Sequence, residues 1–389
     1  MVDLKKEIKF SDLKPKRKPK QVAIGAPPPK DARRKKGKGE FVGLKIGASQ
    51  LAAADVVNNG SSKLLSVARE SLDPGVVIGG EVRDIPALAK ALDEFFTENN
   101  LPRKNVRLGI GTNRVGVRVL DISGVDDTKQ LGNAVTFRAH EALSIPMDQA
   151  VLDYHVVGTT TSESGETTHR VVLAAAYREP IDHFVAACHT ANIELTGIDV
   201  EAFALLRAVA PGTPVSDGTE RAAVVALALG HDRSTLAISD GEVCDFTRVL
   251  EWGGSKLDTA IGRELGLSTE EADELKRVVT LNGADDGDVV DARAVRAREA
   301  VKKELTNLAR ELVASLQFYQ GQPGSHAIAE ILVTGGTTRM PGLVEELERL
   351  VRARIRVADP LAAVQASDEI VARDDLASFA VAIGLGVER

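Results

Sequence analysis

The stretch Ala222-Ala223-Val224-Val225-Ala226-Leu227-Ala228-Leu229-Gly230-His231-Asp232-Arg233-Ser234-Thr235-Leu236-Ala237-Ile238-Ser239-Asp240-Gly241-Glu242-Val243 decides how this chain reads. An apolar run enters a glycine turn, a second run leaves it, and Asp240-Gly241 is a hairpin signal before a third strand over 242–249. Residues 41–70 repeat the order. A strand over 41–47 (Phe41-Val42-Gly43-Leu44-Lys45-Ile46-Gly47) is followed by Ala48-Ser49 and a strand over 50–58. The turn Asn58-Asn59-Gly60-Ser61 and a strand over 64–70 complete it. The pattern is duplicated although the residues are not, which predicts an α/β protein with two similar halves.

A strand running into a glycine turn exposes backbone N–H groups that can wrap an anion. Two such turns facing each other would clamp the phosphates of one nucleotide. A third element, Ile331-Leu332-Val333-Thr334-Gly335-Gly336-Thr337-Thr338-Arg339-Met340-Pro341-Gly342, offers a glycine pair where base and ribose could approach backbone.

Periodicity predicts helices over 84–99, 127–143, 181–191, 201–210, 255–265, 268–281, 294–319, 343–352 and 376–385. Strands are predicted over 106–110, 115–122, 150–157, 169–175, 195–200, 330–334 and 354–357. Helix 127–143 should bury Leu131, Ala134, Val135 and Ala142. Ser268-Thr269-Glu270-Glu271 is a capping box. Residues 211–220 read as a linker and 285–291 as a polar loop. The domains expected are 41–112 with 171–216, an inserted subdomain at 113–170, and a second half at 217–389 whose upper part is about 255–325.

The chain has 389 residues, enough for about two to three domains. Its net charge of −7 hides a split. Residues 1–40 hold 14 Lys/Arg against 5 Asp/Glu (+9), and the rest holds 35 against 51 (−16). The Pro-rich basic arm reads as disordered, with anionic membrane or a partner as its contact. The acidic body, without zinc or helix-turn-helix patterns, excludes nucleic acid as a partner. Two cysteines and seven histidines show no disulfide framework or metal-ligand spacing, which fits a reducing cytoplasm. No apolar run approaches the ~20 residues that span a bilayer, and the N-terminus lacks the apolar core of a signal peptide.

Several stretches resemble the PilM family, actin-like and FtsA-like proteins of type IV pilus assembly. They include Val42-Gly43-Leu44 with Ile46-Gly47, Leu72-Asp73-Pro74-Gly75-Val76-Val77 with Gly80-Glu81-Val82, and Val135-Thr136-Phe137-Arg138-Ala139-His140-Glu141. Others are Ile145-Pro146-Met147-Asp148, Asp199-Val200-Glu201-Ala202-Phe203, Gly253-Gly254 and Leu265-Gly266-Leu267-Ser268 with Lys276. The resemblance runs over residues 41–389. It implies an actin-like, RNase H-like duplicated fold with an FtsA-type inserted subdomain called 1C, a cleft for ATP or ADP, and a place at the inner face of the cell membrane. The partner it implies is the cytoplasmic tail of a PilN-like membrane protein, held near strands 115–122 and 150–157. Motor or platform components and self-association are further contacts it implies. The cleft residues it points to are Lys45, Gly47, Ala48, Ser49, Gly230, Ser234, Gly253, Gly254, Lys276, Gly335, Gly336 and Met340.

The departures bear on chemistry. The superfamily pattern at each glycine turn is Asp-x-Gly, the Asp orienting hydrated magnesium or water. Lys45 and Ala228 stand there instead, and Ala52 replaces a frequent lysine. Loss of two such groups predicts lost magnesium-dependent hydrolysis. Ser234 keeps a hydroxyl where Thr is usual. Glu201 is either the one carboxylate left near a γ-phosphate or a helix-start residue favoured by the dipole. Lys45 either replaces the metal's charge, so that nucleotide binds without magnesium, or fills an empty cleft paired with Asp232. An active ATPase and an FtsA-like filament former are the competing readings. Against the latter, the C-terminal segment is apolar all round and predicts burial rather than membrane tethering.

Overall fold

The computed structural model describes residues 39–125, 127–143, 145–163, 165–211, 215–216, 221–282 and 292–388. Residues 1–38 of the basic arm, most of the 211–220 linker and the 285–291 loop lie outside them. The first half runs β1 (Glu40–Ile46), β2 (Gln50–Asn59), β3 (Ser61–Ser71), β4 (Val77–Ile78), β5 (Glu81–Val82), α1 (Ile85–Glu98) and β6 (Val106–Ile110). Then come β7 (Val115–Ser123), α2 (Thr128–Ala142), β8 (Ala150–Thr161), β9 (Thr167–Tyr177), α3 (Arg178–Thr190), β10 (Leu195–Val200) and α4 (Glu201–Val209). The second half runs β11 (Val215–Ser216), β12 (Arg221–Leu229), β13 (Ser234–Ser239), β14 (Cys244–Leu250), α5 (Gly254–Leu265), α6 (Thr269–Val278) and α7 (Ala292–Gln320). It ends with β15 (Ala327–Thr334), α8 (Leu343–Val351), β16 (Ile355–Val357), α9 (Asp368–Val371) and α10 (Ala380–Gly386).

Each half is built on one sheet, in the orders β10-β6-β1-β2-β3 and β14-β13-β12-β15-β16. Both combine an antiparallel meander with parallel neighbours on one side. The duplication holds at the level of register. Lys45 pairs with Ala52 and Ile46 with Leu51, as Ala228 pairs with Thr235 and Leu229 with Ser234.

Strand β2 is buried on both faces because each face has its own helix layer. Leu51 and Ala53 pack with Leu88, Leu92 and Phe95, whereas Ala52, Ala54 and Val56 pack with Phe379, Ala382 and Ile383. Capping fixes the helix starts. The Asp84 carboxylate accepts Ala87 N–H at 2.9 Å, and Ser268 with Glu271 closes the expected capping box at α6. The apolar C-terminal helix is fully buried, as its composition predicts. Burying Phe379, Ile383 and Leu385 stabilises by ~1.5–3 kcal/mol each.

Helices α4 and α10 cross between the two sheets, α4 facing Val224, Ala226 and Ala228. The inserted sheet, ordered β7-β9-β8, carries α2 through Leu131, Val135 and Ala139, each four residues from the last. Ala134 and Ala142, expected on that face, are only half-buried. Strand β9 runs to Tyr177, so the inserted sheet extends past the boundary expected at 170. Arg170 of this sheet reaches Asp245 of the second half at 3.4 Å.

Candidate functional site

The two glycine turns have the same build. Gly47 N–H donates to Gln50 O at 2.9 Å, and Gly230 N–H donates to Arg233 O at 3.1 Å. They end β1 and β12 and face each other across a space also lined by Glu201, at the start of α4, and by Thr235. Of the residues expected at a nucleotide cleft, Lys45, Gly47, Ala48, Ser49 and Gly230 line this space. Lys45 Nζ lies 3.5 Å from Glu201 Oε2, not beside Asp232. Thr235 Oγ1 donates to the same carboxylate oxygen at 3.3 Å.

Ser234 belongs elsewhere. Its hydroxyl is buried and donates to Trp252 O at 2.7 Å. Successive residues of a strand point to opposite faces, so the hydroxyl turned toward the cleft is that of Thr235. That alternation could have been read from the sequence.

The second turn is backed by the other predicted glycines. Gly230 O accepts Gly254 N–H and Thr337 Oγ1–H, each at 2.9 Å. A Cβ on Gly253 would stand 2.3 Å from His231 O, and one on Gly335 would stand 2.3 Å from Leu229 O. Gly335 also has φ +99°, a backbone state that favours glycine. These glycines therefore allow backbone to pack on backbone, and Gly336 is exposed at their edge. Lys276 Nζ is held by Asp258 at 2.5 Å and Asp273 at 2.9 Å. Burial pushes the Asp258 carboxyl up against the lowering pull of Lys276. Met340 packs into the second-half core with Leu343 and Leu347.

Arg233, which the sequence left without a role, extends from the second turn into the first half. Its Nη1 donates to Gly79 O at 2.8 Å and Gly111 O at 2.6 Å. The remaining space between the turns is about 60 Å³, against roughly 300–1,000 Å³ for small-molecule pockets. Its donor set does not fit magnesium. Position 228 offers a methyl group, position 45 an ammonium, the Glu201 oxygen is already shared by Lys45 and Thr235, and Asp232 on the same wall faces the Arg233 guanidinium at 3.7 Å.

Asp240, Asp245 and His326 bring ligand atoms within 4.8 Å of one another. Asp240 Oδ1 there caps the N–H groups of Glu242 and Val243, and Asp245 faces Arg170. A larger groove of about 510 Å³ opens where the inserted sheet meets the first half and the β13–β14 turn (Ser239 and residues 241–244) of the second. His155 and Val157 of β8 form one wall, Thr196, Gly197 and Ile198 of β10 another. The Arg207–Asp199 ion pair lies beside them. Among the strands expected to hold a partner, β8 borders this groove, whereas β7 lies at the far edge of the inserted sheet.

The profile of the type IV pilus assembly protein PilM family matches residues 43–389. The chain belongs to the PilM family. A solved PilM–PilN type IV pilus biogenesis complex contains a chain that superposes with a TM-score of 0.73 at 25% identity, covering 90% of this chain and 99% of that one. Cell division protein FtsA of Bacillus subtilis is 20% identical over 319 residues, 76% of this chain and 72% of FtsA. FtsA of Pseudomonas aeruginosa is 22% identical over 362 residues, 82% and 83% of the two chains. MreB5 of Spiroplasma citri, solved with ADP, shares the fold with a TM-score of 0.50 at 11% identity, covering 89% of this chain and 94% of MreB5. The PilM assignment and the actin-like duplicated fold agree with the sequence reading. No helix among the described residues is long and apolar enough to cross a membrane.

Proposed function

We propose that this PilM-family chain is a scaffold of a type IV pilus or related secretion machine, binding the cytoplasmic tail of a PilN-like inner-membrane protein. The observation that carries this reading is the likeness, over nearly the whole chain, to the PilM of a PilM–PilN complex. The groove between β8 and β10 is the site we assign to the tail. It is open and mixed in polarity, and the free backbone of an extended peptide would suit the neighbouring strands. Binding there would hold the chain at the inner face of the membrane. The positive charge of residues 1–40 would add attraction to anionic lipid.

The glycine-turn cleft has a supporting role in this reading, with hydrolysis lost. Lys45 and Ala228 stand where carboxylates would organise magnesium, and the two carboxylates on the cleft wall are already engaged, Glu201 by Lys45 and Thr235 and Asp232 by Arg233. ATP or ADP, if bound, acts as a structural ligand with Lys45 supplying positive charge.

The test is titration of a labelled N-terminal peptide of the same organism's PilN-like protein. Wild type should bind, and Val157→Arg should weaken binding at least about tenfold, a loss of ~1.4 kcal/mol. Ile78→Arg, an exposed apolar position outside the groove, should bind as wild type. Equal binding by all three would remove the groove from the proposal, and no binding would remove the partner. Calorimetry with ATP, with and without magnesium, tests the cleft in wild type and Lys45→Asp/Ala228→Asp. Only the double variant should show magnesium-dependent binding.

A further inference from the structure

Arg233 lies in the second half, but its hydrogen-bonding partners lie in the first. Gly79 sits in the turn between β4 and β5, and Gly111 directly follows β6. One guanidinium nitrogen binds both carbonyls. The side chain is only 12% exposed, with Nε 3.7 Å from Asp232 Oδ2. The first half is shaped to receive it. Gly80 has φ +73°, and a Cβ there would stand 2.2 Å from Arg233 Nη1. The guanidinium therefore lies against bare backbone, with Nη1 reaching carbonyls from two separate segments.

Two-lobed proteins commonly close when a ligand bridges the lobes. Here the chain supplies the bridge itself, and the space left between the turns is about 60 Å³. We infer that Arg233 is an intramolecular clasp, holding the two halves of the cleft together with no ligand between them. Closure is then independent of nucleotide, and the scaffold presents one fixed shape to its partner. A cation held against neutral carbonyls suits this task. Its hydrogen bonds are charge-assisted, while no carboxylate has to be buried to receive it.

Hydrogen exchange of the full chain tests the clasp. Arg233→Ala should speed exchange at least about tenfold over residues 76–83 and 109–113, in the half that does not contain the substitution. Residues 301–312, in the core of α7, should be unchanged and report an intact fold. Arg233→Lys, which keeps the charge but not the reach or shape of the guanidinium, should fall between Arg233→Ala and wild type; this variant carries the test if the alanine variant does not fold. Wild type with millimolar ATP and magnesium should show no further protection over 76–83. Unchanged exchange in both variants over 76–83 and 109–113 overturns the clasp. So does wild-type protection by ATP as large as the loss caused by Arg233→Ala, since the cleft would then be open without ligand. Peptide binding and ATP hydrolysis do not enter this readout, so its failure is separate from failure of the scaffold reading.

Discussion

Lys45 Nζ and Glu201 Oε2, 3.5 Å apart, join the end of β1 to the first residue of α4. Both residues belong to the first half, beside the place where the two halves meet, with Glu201 buried and Lys45 partly exposed. Thr235 of the second half shares the same oxygen. The Glu201→Gln variant keeps the shape and removes the charge, and should cost about 1 kcal/mol. Lys45→Met should cost a similar amount. The double variant should cost less than the sum, with a coupling of ~0.5–1 kcal/mol. Urea midpoints of the four proteins measure it, and strict additivity would mean that the pair contributes nothing.

Asp55 makes stability depend on pH. It lies in β2, 7% exposed, and its Oδ1 has no hydrogen-bond partner among the described residues. Burial first, then the nearby Glu40 charge, push its carboxyl up to about 6. The fold thus prefers the protonated acid. Stability is fully present below the ordinary aspartate value of about 4 and is lost as pH rises through about 6. Asp55→Asn removes that penalty. It should stabilise by ~1–3 kcal/mol at neutral pH, with little gain near the ordinary aspartate value. Denaturation of both proteins across this range should show a gap that widens with pH and then levels off. A gap independent of pH would rule the account out.

The fold was legible because its signals are local. Apolar runs, Asp240-Gly241, Asn59-Gly60 and the Ser268–Glu271 box each act within a few residues, and the strand–turn–strand order repeats in both halves. The site was less so. Glycines at 230, 253 and 335 could be listed from the sequence, but their service to backbone packing around one turn is a tertiary fact. Lys276 is expected at the cleft, but nothing in the sequence announces its ion pairs with Asp258 and Asp273. Arg233 was beyond reach, because its acceptors lie 154 and 122 residues away and are main-chain carbonyls that no residue type announces.

The crossing of α4 and α10 depends on Gly384. A Cβ there would stand 1.8 Å from Ala204 O, so one methyl group must push the helices apart. Gly384→Ala should destabilise by about 2–3 kcal/mol despite alanine's better helix propensity. Gly336 has nothing within 4 Å of such a Cβ and no positive φ to strain. Gly336→Ala should therefore stay within ~0.5 kcal/mol of wild type. Thermal melts of the two variants separate close approach from the general effect of replacing a glycine.

Asp258 is 1% exposed and depends on Lys276 for its countercharge. Removing one partner from a buried pair leaves a charge that water cannot reach, which costs more than the pair itself contributes. Lys276→Met should therefore destabilise by about 3 kcal/mol. Asp258→Asn/Lys276→Met, which removes both charges, should recover more than half of that loss. If Lys276 instead serves mainly to hold a ligand, Lys276→Met would leave the melting temperature in place and weaken only nucleotide binding. Melting and ATP titration on the same preparation distinguish the two roles.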